Sequence, residues 1–276
     1  MIQKLTTLDF CEDFIHAFMD DPNYSDPHLA TPEMIASNLY DAVNDEDSSV
    51  FGVFRNDKLV GLFSLQILVN EQYIEMITGL SDDEEAYEEI AAYLQANYPG
   101  FQADFVYNPH NDKIRAMLER HGASFDKEMQ RMVLIDGMID GDSDGIELLS
   151  DRYQPQYFAM HETDCYWTAE KVADTPTMFN AFLAVDDGSV VGYLDITNCY
   201  DENEIYDMKV KEAYRRMGWG RKLLKKAIES NRPMGLMLFV YVDNAPAIKL
   251  YESVGFQKVP GQNSQLATWN IPSLSE

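Results

Sequence analysis

At two places in the chain, apolar residues lie on both sides of a short polar turn. Residues 51–65 read FGVFRNDKLVGLFSL, with Asn56-Asp57 at the centre, and residues 182–196 read FLAVDDGSVVGYLDI, with Asp187-Gly188 at the centre. Runs of β-branched and aromatic residues that flank such a turn are typical of a β-hairpin. The pattern therefore predicts two hairpins, one in each half of the chain.

The elements that follow the two hairpins also correspond. Gly61 and Gly192 fall at the same place in each hairpin, and the apolar patterns at residues 72–78 and 204–210 each predict a further strand. A helix is predicted after each of these strands. The order of elements indicates an internal repeat.

A second pair of predicted helices extends the repeat. They cover residues 111–123 and 244–256. The corresponding positions within them are seven and four residues apart: Asn111, Leu118 and Gly122 in the first copy, and Asn244, Tyr251 and Gly255 in the second. A segment rich in Gly, Asp and Ser near residue 135 is typical of a linker. We therefore predict two copies of one α/β unit, at residues 1–138 and 139–276.

The net charge of the chain disfavours a nucleic-acid-binding function. Its 21 Lys and Arg against 47 Asp and Glu give a formal charge of −26, which disfavours binding to nucleic-acid phosphates. Eight of the basic residues fall between Lys209 and Lys226. Positive charge is thus concentrated at one point of the second copy.

Other features of the sequence point to a cytoplasmic protein. The three cysteines, Cys11, Cys165 and Cys199, do not form a disulfide framework or a zinc-binding pattern. The N-terminus lacks the pattern of a secretory signal, and no apolar run approaches the ~20 residues of a spanning helix. The histidines are scattered, so no metal site is predicted.

The basic segment surrounds two glycines in the sequence YRRMGWG. Arg215, Gly218 and Gly220 follow a predicted strand and precede a helix. Glycines let backbone N–H groups approach an anion closely, and a helix N-terminus adds a partial positive charge. The segment therefore predicts a pyrophosphate site, although a solvated helix start remains an alternative.

This spacing, Q/R-x-x-G-x-G/A, resembles the acyl-CoA-binding motif of the GNAT superfamily of N-acetyltransferases. Residues 243–256, DNAPAIKLYESVGF, resemble the second motif of that superfamily, in which an Asn opens a helix, a Tyr follows and Gly-Phe ends it. The resemblance covers most of residues 145–276, and the first copy shares the architecture without the motifs. It implies an α/β (α+β) fold of two tandem GNAT-like domains, each a mixed, mostly antiparallel central sheet flanked by helices.

The resemblance also implies roles for individual residues. Acetyl-CoA would be the co-substrate, and no metal is expected. Tyr251 would be the general acid, and Glu204 the general base, with Asp207, Glu202 or a water chain as rivals. Strand alternation places Glu204, Tyr206, Met208 and Val210 on one face. The residues that would bind the cofactor are Met208, Val210, Arg215, Arg216, Met217, Gly218, Trp219, Gly220, Arg221, Asn244 and Ala247.

The first copy lacks both motifs. At the place of the basic turn it reads GLSDDEEAYEE, in which Ser81 and Glu84 predict a capping box and the carboxylates around them would repel a pyrophosphate. Leu118 stands where Tyr251 stands in the second copy. We therefore expect a degenerate first copy that neither binds coenzyme A in the usual manner nor catalyses transfer.

Two classes of function remain open. The first is an N-acetyltransferase that moves an acetyl group from acetyl-CoA to a primary amine of a small molecule or peptide, by direct attack in a ternary complex. The second is a non-catalytic acyl-CoA-binding sensor or interaction protein. Another acyl chain or acceptor is also compatible with the motifs. No nucleic-acid or membrane partner is expected, and the chain would be a monomer or homodimer.

His161 and Cys165 suggest a further interpretation. They are four residues apart and would share a helix face as a nucleophilic pair, but no third group that would orient the base is evident. Tyr166 and Trp167 beside them are expected to line an acceptor pocket or to pack in the core.

Overall fold

The structure, a computed structural model, describes residues 1–19, 26–29, 32–135, 141–161 and 167–273. Its strands are β1 Ile2–Lys4, β2 Ser48–Arg55, β3 Lys58–Leu68, β4 Tyr73–Ser81, β5 Gln102–Tyr107, β6 Ser124–Phe125, β7 Met129–Leu134, β8 Ile146–Leu148, β9 Phe179–Asp186, β10 Ser189–Thr197, β11 Glu202–Val210, β12 Gly235–Tyr241, β13 Phe256–Lys258 and β14 Gln265–Asn270. Its α-helices are α1 Glu12–Met19, α2 Pro32–Ile35, α3 Glu84–Asn97, α4 Asp112–Arg120, α5 Gln154–Phe158, α6 Ala169–Asp174, α7 Trp219–Asn231 and α8 Ala245–Glu252. A π-helical segment, Ala36–Asp41, continues α2.

The chain forms two compact units. Unit 1 contains Met1–Met129 and Pro260–Glu276, and unit 2 contains Gln130–Val259. This division differs from the predicted halves, because strand β7 pairs within the sheet of unit 2 and the C-terminal strand β14 pairs within the sheet of unit 1. The predicted boundary at residue 138 itself lies outside the described residues.

Each unit is built on one mixed sheet, in which seven strands are described. The strand order is β1-β2-β3-β4-β5-β14-β6 in unit 1 and β8-β9-β10-β11-β12-β7-β13 in unit 2. The two orders correspond position by position. Strands β4 and β5 pair in parallel, as do β11 and β12, and the other pairings with a defined register are antiparallel. The predicted fold class, two tandem α/β units with mostly antiparallel sheets, is confirmed.

The two predicted hairpins are present. Strands β2 and β3 are joined by Asn56 and Asp57, with φ of 48° and 63°, and β9 and β10 by Asp187 and Gly188, with φ of 46° and 74°. Two successive residues with positive φ are the signature of a type I′ turn, whose twist matches that of the flanking strands. The Asn-Asp and Asp-Gly pairs therefore fix the register of both hairpins.

Each sheet is covered by hydrophobic side chains on both faces. In unit 2, helices α7 and α8 pack on one face through a cluster that includes Leu223, Leu224 and Ile248. The opposite face packs against the segment of α5 and α6 through a cluster that includes Tyr157 and Tyr193. Unit 1 has the same arrangement of two clusters. Among the described residues, no helix has the length and apolar character needed to cross a membrane.

Candidate functional site

The parallel strands β11 and β12 of unit 2 pair over only part of their length. The ladder joins Glu202–Ile205 with Gly235–Leu238, as four consecutive pairs. Strand β11 then continues to Val210 in register with β10 alone. Because β12 does not extend the ladder past Leu238, the last part of β11 presents a sheet edge in the middle of the sheet. Such an edge can accept an extended ligand chain through backbone hydrogen bonds.

A β-bulge lies where the two strands part. Asp195 pairs with Asp207 and Ile196 with Ile205, so Tyr206 is the extra residue. The bulge changes which side chains share a face. Ile205 and Met208 pack toward α7, whereas Tyr206 contacts the ring of Phe179 on the opposite face.

The predicted common face of Glu204, Tyr206, Met208 and Val210 is therefore wrong. Met208 and Val210 lie on the face of α7, and Glu204 and Tyr206 lie on the other face. Alternation along a strand is reliable only where no residue is inserted in the pairing. The backbone of Met208 and Val210 nevertheless lies on the part of β11 that β12 does not cover.

The basic turn forms an open helix N-terminus. Gly218 is the N-cap of α7, with φ of 92°, and no side chain caps the helix. A Cβ atom at Gly218 would meet no atom within 4 Å. The first N–H groups of a helix have no partner within the helix, so an uncapped start of this kind suits an anion.

The two glycines of the turn have different roles. Whereas Gly218 borders open space, a Cβ atom at Gly220 would lie 3.0 Å from Met208 Cε and 3.1 Å from Leu250 Cδ2. Gly220 thus allows the first turn of α7 to approach strand β11 and helix α8 closely. The sequence motif combines a residue that leaves room for a ligand with one that permits close packing.

The basic side chains around the turn fall into two groups. Several have protein partners: Lys222 pairs with Asp142 at 2.7 Å, and Arg221 donates to the Ser253 carbonyl at 3.1 Å. Arg215 Nε donates to the carbonyl of Val210 at 3.1 Å. Arg216 is exposed, has φ of 62°, and makes no ion pair within the described part of the chain. It is thus available to an anionic ligand.

Helix α8 carries the proposed acid. Its N-cap Asn244 accepts a hydrogen bond from the Ala247 N–H at 3.3 Å, which leaves the amide NH₂ of this exposed residue for a ligand. Tyr251, seven residues later, is half-buried. Burial, followed by the charge of Asp207, raises the pKa of the Tyr251 phenol to about 12. The phenol is therefore protonated, as a general acid requires.

A buried polar cluster lies behind the bulge on the opposite face. Asp195 is fully buried, and its Oδ2 accepts a hydrogen bond from the Tyr157 hydroxyl at 2.9 Å and lies 3.0 Å from His161 Nε2. Asp207 Oδ2 accepts a hydrogen bond from the Tyr193 hydroxyl at 2.5 Å. Burial raises the pKa of Asp195, although the hydrogen bonds from His161 and Tyr157 oppose this effect. Burial also raises the pKa of Tyr157.

Sequence reasoning did not find this cluster. Its members come from α5, the segment that follows it, β10 and β11, and no spacing along the chain connects them. The spacing in the sequence connects His161 only with Cys165, which lies outside the described residues, as does Tyr166. Trp167 packs on Phe179, with ring centroids 4.8 Å apart.

The cluster also bears on the expected absence of a metal. Ligand atoms of His161, Asp195 and Asp207 lie within 4.8 Å of one another, a set that could hold an ion. Even without an ion, Asp195 Oδ2 already has two hydrogen-bonding neighbours, Tyr157 and His161. The absence of a metal stays a prediction.

The acidic residues of β11 differ in their surroundings. Glu202 forms an ion pair with Arg131. Glu204 is half-buried, and its charge contributes to raising the pKa of Tyr200, after burial and Cys199. Asp207 is the acid whose charge acts on Tyr251. Of the three, Asp207 is thus electrostatically linked to the proposed acid.

Unit 1 lacks the open helix start. Helix α3 has Asp83 as its N-cap, and the Asp83 carboxylate accepts a hydrogen bond from the Glu85 N–H at 2.9 Å. Ser81 instead accepts a hydrogen bond from the Asp83 N–H at 2.9 Å. The predicted capping box of Ser81 and Glu84 is therefore wrong by position, since the cap is Asp83. Leu118, at the place of Tyr251, is fully buried in the core.

Comparison with known proteins agrees with this geometry. The family model described as Acetyltransferase (GNAT) family matches residues 146–256. The L-amino acid N-acetyltransferase AaaT of Escherichia coli is 32% identical over 118 residues, which cover 40% of this chain and 71% of that protein. The chain belongs to the GNAT acetyltransferase family.

Two further proteins show how far the similarity extends. The N-alpha-acetyltransferase RimI of Mycobacterium tuberculosis is 38% identical over 76 residues, 26% of this chain and 48% of that protein, so the match spans about half of that relative. A GCN5-related N-acetyltransferase from Sphaerobacter thermophilus has a similar structure, with a TM-score of 0.64 at 12% identity over 100% of this chain and 97% of that one. At this identity the structural likeness concerns the fold alone, and it includes both GNAT-like units.

Proposed function

We propose that unit 2 transfers an acetyl group from acetyl-CoA to a primary amine by direct attack in a ternary complex. The observation that carries this proposal is the combination of the parted strands β11 and β12 with the uncapped start of α7 and with Tyr251. A backbone edge, an anion site and a protonated acid are what binding and cleavage of an acyl-CoA thioester require.

The residues of this site suit the parts of coenzyme A. The edge of β11 at Met208 and Val210 would pair with the pantetheine arm, and the Asn244 amide would donate to it near Ala247. The pyrophosphate would lie at the N–H groups of Met217, Gly218, Trp219 and Gly220. The side chains of Arg215, Arg216 and Arg221 would add positive charge around it. The open space at Gly218 supports this fit.

Bound acetyl-CoA supplies a thioester carbonyl, at which attack by the amine nitrogen forms the amide bond, breaks the C–S bond and releases a thiolate. The amine must lose a proton, and the thiolate must gain one. We assign the second step to the Tyr251 hydroxyl, because its raised pKa keeps it protonated.

For the base we propose Asp207 in preference to Glu204. The Asp207 carboxylate lies at the bulge, is held by the Tyr193 hydroxyl, and acts electrostatically on Tyr251. Glu204 acts instead on Tyr200. A carboxylate whose charge acts on the acid can hold the amine and accept its proton, directly or through water.

The acceptor we propose to test first is the amino group of an amino acid or a peptide. The two relatives above bear the names N-alpha-acetyltransferase and L-amino acid N-acetyltransferase, which both refer to such groups. The strong negative charge of the chain is compatible with a cationic acceptor.

A calorimetric titration of the full chain with acetyl-CoA tests the binding part of the proposal. We expect one site per chain, because unit 1 has a capped α3 and a buried Leu118. Two sites would contradict the assignment to unit 2 alone. Failure to bind acetyl-CoA would refute the proposed acetyltransferase activity. Binding without transfer to any amino acid or peptide would favour an acyl-CoA sensor.

Matched substitutions test the catalytic part. We expect Tyr251→Phe and Asp207→Asn to lower kcat by about 10²-fold or more while the affinity for acetyl-CoA changes little. Glu204→Gln is the matched control for Asp207→Asn and should retain most of kcat. A larger loss in Glu204→Gln than in Asp207→Asn would reverse the assignment of the base.

A further inference from the structure

Unit 1 contains a cavity of about 520 Å³ on the face of its sheet opposite helices α3 and α4. Its walls come from the π-helical segment Ala36–Asp41, from the turn that follows it, and from strands β2, β3 and β4. Sites for small molecules commonly have volumes of roughly 300–1,000 Å³. This volume far exceeds what a bare metal ion with ligands at about 2.0–2.6 Å would need.

The lining of the cavity is polar and anionic. Among the described residues that line it, the charged side chains are Asp41 and Asp45, both exposed at the rim, and none is basic. Six further lining residues offer hydroxyl or amide groups: Ser37, Asn38, Asn44, Ser48, Ser64 and Gln66. Hydroxyl and amide groups can both donate and accept hydrogen bonds. This lining is complementary to a cation that carries hydroxyl groups.

Ser64 provides an independent indication of a ligand. This residue is fully buried, lines the cavity, and its Oγ has no hydrogen-bond partner among the described residues. A buried hydroxyl without a partner destabilises the folded state, whereas an apolar side chain there would avoid this cost. A serine at this position is explained if a bound molecule completes its hydrogen bond.

The cavity occupies a position that corresponds to the polar cluster of unit 2. Ser64 pairs with Thr78 across β3 and β4, as Asp195 pairs with Asp207 across β10 and β11. In both units the next residue toward the start of the strand is the bulged one, Ile77 in unit 1. The carboxylates of unit 2 are thus replaced by hydroxyl groups, and Thr78 Oγ1 is also buried with no hydrogen-bond partner in the described part of the chain.

Hydrogen bonds hold the wall of the cavity to its floor. His28 lies between them: its Nδ1 is 2.6 Å from the carbonyl of Ile77, and its own carbonyl accepts a hydrogen bond from Asn38 Nδ2 at 2.7 Å. Both Ile77 and Asn38 line the cavity. The π-helical segment is therefore fixed against the bulge, as a preformed site requires. Segments of π-helix occur frequently at functional sites.

We propose that this cavity binds a small organic cation with several hydroxyl groups, of the amino-sugar class, with its ammonium group at Asp41 and Asp45 and a hydroxyl group at Ser64. This site is separate from the acetyl-transfer site proposed in unit 2. It would give unit 1 a ligand-binding role that does not depend on coenzyme A.

The experiment is an NMR titration of the full chain with glucosamine, without acetyl-CoA, and with N-acetylglucosamine as the neutral probe of similar shape. We expect saturable shifts at the amides of Ser64, Gln66 and Ile77, and an affinity for glucosamine about tenfold higher than for the neutral sugar. No saturable shifts at these amides, or equal affinity for the two sugars, would overturn the proposal.

Variants that remove charge test whether the two rim carboxylates bind the ammonium group. Asp41→Asn with Asp45→Asn should weaken glucosamine binding by about fivefold or more, because both remove charge from the rim. The matched control, Glu46→Gln with Asp47→Asn, removes the same charge from exposed neighbours that do not line the cavity, and should change the affinity by less than about twofold. Equal losses in the two double variants would refute a specific site.

Two further variants test the contact with Ser64 and the independence of this cavity from the site proposed in unit 2. Ser64→Ala removes a hydroxyl that has no protein partner, so we expect an unchanged or higher Tm together with about threefold or more weaker binding. Unchanged binding would refute the contact with Ser64. Asp207→Asn, which alters only the site proposed in unit 2, should leave the shifts at Ser64 intact. Their loss in Asp207→Asn would show that the sugar binds in unit 2, whether or not that unit is an acetyltransferase.

Discussion

At the scale of single residues, unit 1 contains a buried carboxyl group whose charge is poorly compensated. Asp26 is 4% exposed, and its Oδ1 accepts a hydrogen bond from the His28 N–H at 2.9 Å. Burial raises the pKa of Asp26 from 3.8 to about 6, although His28 and a hydrogen bond from the Gly79 backbone lower it. The folded protein therefore holds this proton at pH values where the unfolded chain has released it.

This difference predicts a pH-dependent stability. Between about pH 4 and pH 6 the folded state binds more protons at Asp26, so the free energy of unfolding falls as the pH rises. The gap between the two pKa values corresponds to about 3 kcal/mol. We expect Asp26→Asn to gain stability relative to the wild type by about this amount between pH 4 and pH 7, as measured by urea denaturation. The exposed control Asp9→Asn should show no such gain, and a pH-independent difference for Asp26→Asn would contradict the shift.

Residues of the candidate site differ in how well the sequence predicts them. Arg215, Gly218, Asn244 and Tyr251 lie in contiguous motifs, where the conformation of one turn and one helix determines their positions. Asp195 has no such motif, because its surroundings come from segments that are distant in sequence. The pattern of apolar residues along β10 predicts a strand, but it does not show which polar side chains meet there.

At the scale of elements, the two repeats use the same position for opposite purposes. Helix α3 begins after Asp83, whose carboxylate accepts a hydrogen bond from one of the first N–H groups of the helix. Helix α7 begins after Gly218, which has no side chain that could accept such a bond. A carboxylate at a helix N-terminus satisfies the helix dipole. The same place in the fold is thus closed to an anion in unit 1 and open in unit 2.

Substitution of Gly218 tests the importance of the open start. Gly218→Asp would place a carboxylate there, as Asp83 does in α3. Open space around Gly218 accommodates the side chain, although the φ of 92° strains any residue other than glycine. We expect the fold to remain and the affinity for acetyl-CoA to fall by about tenfold or more relative to Gly218→Asn. Asn has the same shape without the charge and tolerates positive φ, so it is the matched control. Equal affinities of the two variants in calorimetry would exclude an anion at this turn.

The bulges are the main feature of the elements that the sequence did not reveal. The apolar patterns of β4 and β11 predict regular strands, but each strand contains one inserted residue, Ile77 in β4 and Tyr206 in β11. A bulge is determined by the pairing of two strands, and the apolar pattern of one strand does not show it. Simple alternation along β11 therefore assigns its side chains to the wrong faces.

At the scale of the whole molecule, each sheet is completed by a strand that the predicted repeat assigns to the other unit. Strand β14 lies between β5 and β6 in unit 1, and β7 lies between β12 and β13 in unit 2. The internal repeat predicts the number of units and the order of their elements. It does not predict this exchange, because β7 and β14 occupy equivalent positions in the repeat and each would fit either sheet by pattern alone.

The exchange predicts where a core substitution near the C-terminus acts. Trp269 on β14 is 1% exposed and packs in unit 1, with its ring centroid 4.9 Å from that of His121. We expect Trp269→Ala to cost about 3–5 kcal/mol and to reduce hydrogen-exchange protection in β5 and α4. Phe256→Ala on β13, an equally buried aromatic residue 13 positions earlier, should instead reduce protection in β7 and β12. If Trp269→Ala acted mainly on β7 and β12, the chain would be divided at the linker, and its C-terminal strand would stabilise the unit that precedes it in sequence.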